Sequence, residues 1–250
     1  MAGVKAAFLN ELDKLVKKKK IFAAVLVATL CVIIGQIAVT LIKNGFGLRV
    51  VGSLEFPIIV LSVFSYTVLP LFTAFVAIDM FCGEFTSNTM KITLSRPVSR
   101  FGVFTAKVLT IALFILANLL FVMLLSTLAG ILFNPSSSSL SNFARVSMSY
   151  ISTFVPIFTL ALLIVLLSNI FRNGLSVFFL SVIVFLGFNV LGILFSTYSS
   201  FFITSMLDWY NLWISDSPGV FKILRQFLIM AGCSIMFFTA GYYLFDKRDL

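Results

Sequence analysis

Side chains able to make or break bonds are scarce in this sequence. It contains no histidine, so no imidazole is present to deprotonate a serine, and a metalloprotease helix of the H-E-x-x-H kind would have no ligands. The cysteines, Cys31, Cys82 and Cys233, form neither a metal-ligand spacing nor a disulfide framework. A phosphate-binding loop needs a lysine directly before Ser or Thr, and no lysine here precedes either. No cofactor, metal or nucleotide site follows from these residues, and the chain is expected not to be an enzyme. The densest run of polar groups is Asp79-Met-Phe-Cys-Gly-Glu84-Phe-Thr-Ser-Asn-Thr89-Met90-Lys91-Ile-Thr-Leu94-Ser-Arg96-Pro97-Val-Ser-Arg100. Thr86, Ser87 and Asn88 are helix-cap types, so the run predicts a short helix over about 87–94, which Pro97 ends. Met90 and Leu94 share one face of it with Lys91 and Ser95 alongside, an arrangement suited to docking in a groove.

The elements that must carry this segment are set by composition. Of the 250 residues 60% are apolar and 11% charged, with mean hydropathy +1.13. A soluble domain has roughly half its residues apolar and about a quarter charged, so an ordinary soluble enzyme is excluded. Apolar runs cover 21–42, 57–78, 108–133, 150–170, 175–196 and 226–245, and none contains Asp, Glu, Lys or Arg. Each is long enough to cross about 30 Å of hydrocarbon as a helix. Runs this continuous lack the alternation of barrel strands, so helices must satisfy the backbone. The expected fold is all-α: one transmembrane domain over 1–250, with six spans and short loops.

Basic residues flanking spans are retained on the cytoplasmic side. With both termini inside, thirteen of the eighteen fall there: Lys5, Lys14, Lys17 to Lys20, Lys91, Arg96, Arg100, Lys107, Arg172, Lys247 and Arg248. The net charge of +9 is thereby explained by topology rather than by nucleic acid, which is not an expected partner. Lys17 to Lys20 also suit anionic lipid headgroups. The first run begins too late and is too long for a cleaved leader, so it is expected to remain as a signal anchor. Before it, Phe8, Leu12, Leu15 and Val16 recur at helical spacing, with Lys5, Glu11, Asp13, Lys14 and Lys18 on other faces. Residues 1–20 thus read as an amphipathic helix in the inner interface, either a plain anchor or a brace that also meets a partner. The segment between Tyr198 and Phe221 carries both tryptophans, Trp209 and Trp213, and reads as a re-entrant or interfacial cap, with substrate gating as the alternative.

Ion- and proton-coupled carriers and most channels need ionisable or densely polar groups at membrane depth, and the six runs have none. The neutral groups Gln36, Thr40, Ser65, Tyr66, Thr67, Asn118, Asn189, Tyr242 and Tyr243 are expected to hydrogen-bond between helices, and Pro70 and Pro156 to kink their spans. Among the 30 phenylalanines, Phe178, Phe179, Phe185, Phe188 and Phe195 of the fifth span line up with an apolar route, although lipid contact alone explains most of them. An unpaired charge at depth costs several kcal/mol, so hydrophobic or amphipathic cargo is favoured, and work against a gradient would need energy from another polypeptide.

An acidic residue after the second span, then Glu84, Thr89, Lys91, Leu94 and Ser95-Arg96-Pro97-Val98-Ser99-Arg100, with Lys107 entering the third span, resembles the E…G-T…L-L-S-x-P-V-S-R…K pattern of type-two ABC exporter permeases. Asn88 stands where glycine commonly precedes the threonine. The resemblance implies that 79–100 is a coupling segment entering a cleft of a separate ATPase subunit through Glu84, Thr89, Met90, Lys91, Leu94, Arg96, Pro97 and Arg100. It further implies two ATPase copies holding ATP and magnesium, and a second permease chain, expected to be identical. The substrate path would run between the second and fifth spans, past Tyr66, Phe178, Phe185 and Asn189. Small, domain-free relatives export amphipathic peptides or lipid-like compounds, and the expected setting is a bacterial cell membrane. The alternative is a noncatalytic sensor or assembly subunit that holds a partner without moving cargo.

Overall fold

A computed structural model describes residues 2–46, 52, 54–86, 99–134, 140–171, 173–195, 202–214 and 219–247. The regular elements among them are all helical: α1 (Ala2–Val16), α2 (Lys19–Phe46), α3 (Phe56–Tyr66), α4 (Val68–Thr86), α5 (Arg100–Phe133), α6 (Leu140–Ile170), α7 (Gly174–Leu194), a 3-10 helix (Ser205–Tyr210), α8 (Asn211–Ile214) and α9 (Val220–Asp246). Five of these helices are long and apolar enough to cross a bilayer, and α3 with α4 makes a sixth if that bent pair is one span. The chain is a multi-pass membrane protein.

The second apolar run is two helices meeting at 42°. The break at Thr67 has a covalent cause: Pro70 has no N–H to donate, and its ring would collide with the carbonyl of Tyr66 four residues back. Pro156 does not end its helix, since α6 runs unbroken through it. The helices also overrun the apolar runs. α5 starts at Arg100 rather than 108, where the Ser99 side chain accepts from the Gly102 amide at 3.1 Å and supplies an acceptor for one of the open first-turn N–H groups. α6 begins at Leu140 and α9 at Val220, so Arg145, Lys222 and Arg225 are helical.

Helix α6 is the centre of the bundle, packed against α4, α5 and α9. In its most apolar 18-residue window 61% of the residues are buried, against 11% in that of α7. Helix α6 therefore has protein neighbours over most of its surface, while α7 presents most of its surface outward. The core gathers Phe56, Phe64, Phe81, Phe104, Ile111, Ile115 and Ile157. Small residues set the approach of α7 to α4: a Cβ on Gly174 would lie 3.1 Å from Ile78 Cγ2, tighter than ordinary van der Waals contact.

Candidate functional site

The structure places functional groups at three levels along the bundle. At the end where α1 lies, the chain assembles a charged cluster out of residues distant in sequence. Lys107 of α5 is fully buried, and its Nζ donates to Glu11 Oε2 at 2.9 Å and to the Met80 carbonyl at 3.0 Å. Glu11, 3% exposed, also accepts from Lys14 at 2.7 Å. Next to this cluster Asp79 accepts from Lys18 at 2.6 Å and from Lys20 at 3.0 Å. This corrects the expectation that Glu11 lies on an outward face of an amphipathic helix. The inward face of α1 contains Glu11 and Leu15, while Val16 is exposed. Burial pushes the Glu11 carboxyl up, and the charges and hydrogen bonds of Lys107 and Lys14 more than offset it, holding the group below its ordinary value of 4.5.

These bonds tie α1 to α4 and α5, the two helices that flank residues 87–98. The predicted docking residues Thr89, Met90, Lys91, Leu94, Arg96 and Pro97 lie outside the described residues, as does the side chain of Glu84, whose backbone continues α4. Arg100 is exposed at the start of α5 and its guanidinium donates to the Asp246 carbonyl at the end of α9. Cys82 is buried against the turn between α6 and α7, with Sγ 3.5 Å from the Ser168 carbonyl.

Further into the bundle, the break between α3 and α4 opens a cleft of about 140 Å³ against α6 and α7, lined by Tyr66, Pro70, Leu160, Phe178, Ser181 and Phe185, among others. Three of the four residues expected on a substrate path, Tyr66, Phe178 and Phe185, meet there. Asn189 is not among those lining it, and its amide donates to the Phe185 carbonyl of its own helix at 3.0 Å. Towards the α1 end a wider cavity of about 470 Å³ combines Phe75, Phe178 and Phe179 with Lys20 and Asp79. The two spaces share Phe178, whose ring stacks on Phe75 with centroids 4.7 Å apart and planes 9° from parallel. A route that is apolar inside and charged at one mouth can admit a molecule having both characters.

At the opposite end the 3-10 helix crosses the bundle against α3, α6, α7 and α9. The Asp208 carboxylate lies beside Tyr66, and Tyr210 lies beside Ser62. The part 205–210 of the segment foreseen as a cap thus packs against α3, whose Tyr66 also lines the cleft. The approach of this part to α7 depends on Gly192, where a Cβ would stand 2.6 Å from Ser205 Oγ.

Most of the neutral polar groups bond within their own helix: Thr40 to Gln36, Thr67 to Val63, Asn118 to Phe114. The bonds between helices come largely from residues that the sequence does not distinguish. Tyr150 donates to the Pro57 carbonyl at 2.8 Å and lies 3.0 Å from Ser126 Oγ, and Thr159 meets Ser234 at 2.9 Å. Gln36 does bond across, accepting from Asn134 at 3.1 Å.

Comparison with known proteins adds two findings. The sequence model of a family described as "ABC-2 family transporter protein" matches residues 7–187, a stretch running from α1 through most of α7. An uncharacterized protein of Bacillus subtilis (strain 168), YhcI, is 26% identical over 216 residues, covering 74% of this chain and 66% of the relative. The chain thus spans just under two thirds of that relative's length.

Proposed function

This chain belongs to the ABC-2 transporter family, and on that premise we propose that it is the membrane permease of an ATP-driven exporter of amphipathic peptides or lipid-like molecules. ATP and magnesium are held by a separate ABC ATPase, present in two copies, and two identical permease chains face each other. Both termini lie on the cytoplasmic side of a bacterial plasma membrane, in keeping with the thirteen basic residues on that side. The charged cluster at the α1 end is then cytoplasmic, and the cap over 205–214 is external.

The observation that carries the reading is a pair of adjoining spaces, one at the Lys20 and Asp79 mouth and one at the α3–α4 break, that share Phe178 at its stack with Phe75. Their walls come from the second and fifth spans, and their polarity falls inward as an amphipathic molecule's does from head to tail. The stack closes the passage between the two spaces, so cargo must part Phe75 from Phe178. Parting them moves α4 against α7, and α4 leads directly into 87–98. ATPase closure on that segment and opening of the stack are in this way one mechanical event. The charged mouth is held by Lys18 and Lys20, which bond Asp79, and beside it α1 acts as a brace through the bond of Glu11 to Lys107, which itself bonds the Met80 carbonyl.

Reconstitution of the chain with its ATPase in vesicles, using a fluorescent amphipathic peptide as cargo, tests this. Glu84→Ala or the pair Met90→Asp and Leu94→Asp should leave ATP hydrolysis running while transport falls by about tenfold or more, the loss expected when about 1.4 kcal/mol of coupling disappears. Unchanged coupling in those variants contradicts the docking role of 79–100.

A further inference from the structure

A second apolar groove lies at the end of the bundle away from α1, outside the route just described. It measures about 400 Å³ and is formed by α6 through Met148, Ile151 and Val155, by Trp209 and Trp213, and by the first turns of α9. Two observations distinguish it from a packing gap. Trp209 is 5% exposed, and its indole N–H finds no acceptor among the described residues; the indole N–H of Trp213 is likewise buried without one. The one hydroxyl in the lining, that of Ser152, donates to the Ser149 carbonyl at 2.9 Å, and its oxygen accepts from neither indole.

Native proteins leave few buried donors unpaired, because the lost hydration is not repaid. Two such donors in one groove call for an acceptor beyond the described residues, attached to something apolar enough to fill the rest. A neighbouring transmembrane helix fits poorly, since its carbonyls are already used along its own axis. A glycerolipid fits, having ester carbonyls directly above its acyl chains at the depth where tryptophans gather. Lys222, exposed on the first turn of α9 and next in sequence to the lining residue Ile223, adds a positive charge at headgroup level.

We propose that this groove holds one anionic glycerophospholipid: an acyl chain lies between α6 and α9, an ester carbonyl accepts from Trp209 and Trp213, and the phosphate meets Lys222. The lipid ties the cap segment 205–214 to the bundle.

The chain contains two tryptophans and both line the groove, so its fluorescence, excited where tryptophan absorbs and tyrosine does not, reports on this site. The full chain in detergent is titrated with phosphatidylglycerol carrying dibrominated acyl chains, a contact quencher. Quenching should saturate near one lipid per chain, and Lys222→Gln should weaken the apparent affinity about fivefold, as loss of one headgroup-level charge implies. Dibrominated phosphatidylcholine should bind more weakly than phosphatidylglycerol by a similar factor. Quenching that rises without saturation, equal quenching by both lipids, or insensitivity to lipid in a chain that light scattering finds dimeric, with the groove covered by a second copy, each overturns the proposal. The wild-type titration needs no variant to fold, and neither ATPase nor cargo, so its failure is separate from failure of the export reading.

Discussion

The two ends of this bundle solve the same problem in opposite ways. At the α1 end two carboxylates, Glu11 and Asp79, are held by four lysines, with Lys107 and Glu11 almost wholly buried. At the far end two indole N–H groups have no acceptor among the described residues, and the cap packs against α3 with Asp208 beside Tyr66 and Tyr210 beside Ser62. The contrast teaches where rigidity is needed. A buried charge that loses its partner is costly, so the α1 end has one strongly preferred arrangement, and that arrangement fixes the helices flanking residues 87–98. At the far end no charged side chain is buried among the described residues, so the cap can part from the bundle without stranding a buried charge.

Substitutions at the two ends should therefore separate by size. Lys107→Ala leaves the buried Glu11 with only the partly exposed Lys14 as partner and should cost about 3 kcal/mol, read as a large drop in the melting temperature of the chain in detergent. The double change Lys107→Met with Glu11→Leu removes both charges and should recover most of that loss; failure to recover would mean that the pair is not the source of the effect. Acid acts on the same contact. The Glu11 carboxyl titrates below 4.5 in the folded chain, so its contribution is complete above that value and is lost as pH falls through the folded-state value. A stability profile from neutral pH to below 4 should fall in the wild type and be flatter in Glu11→Gln.

Tyr150→Phe, which removes a buried hydroxyl joining α6 to α3 and α5, should cost about 1–3 kcal/mol by leaving polar partners unmatched. Asp79→Asn should cost about 1 kcal/mol or less, because Lys18 and Lys20 are substantially exposed, at 38% and 52%. Trp209→Phe deletes an unpaired donor together with the five-membered ring of a 5% exposed indole. Relief of the donor offsets part of the lost packing, so in lipid-free detergent the net cost should be about 1 kcal/mol or less, at the small end of the series. A loss there as large as that of Lys107→Ala would abolish the contrast between the ends.

Much of the fold was legible because a bilayer leaves the sequence few options: uninterrupted apolar runs must be helices, and a proline at position 70 must disturb the carbonyl at 66. That Tyr66, Phe178 and Phe185 line one cleft was foreshadowed only by family resemblance, since nothing in their spacing separates a cleft lining from a lipid-facing surface. The Glu11 and Lys107 pair escaped because charge normally marks an outward face and the partners are 96 residues apart. A signal was present in the register, where Glu11 stands three residues after Phe8 and four before Leu15, on the stripe that turns inward. Tyr150 and Thr159 escaped for a different reason: a hydroxyl in a transmembrane helix bonds equally well to its own preceding turn, and only the packing of α6 at the centre decides between the two.

The claim on which the rest depends is that this chain moves cargo only with energy delivered by another subunit through residues 79–100. Vesicles containing the chain alone, and vesicles containing it with its ATPase, should be compared for ATP-dependent movement of a fluorescent amphipathic peptide. Transport confined to the second set, and lost when Met90 and Leu94 become aspartate, is the predicted result; pumping by the chain alone, or transport indifferent to those changes, contradicts it.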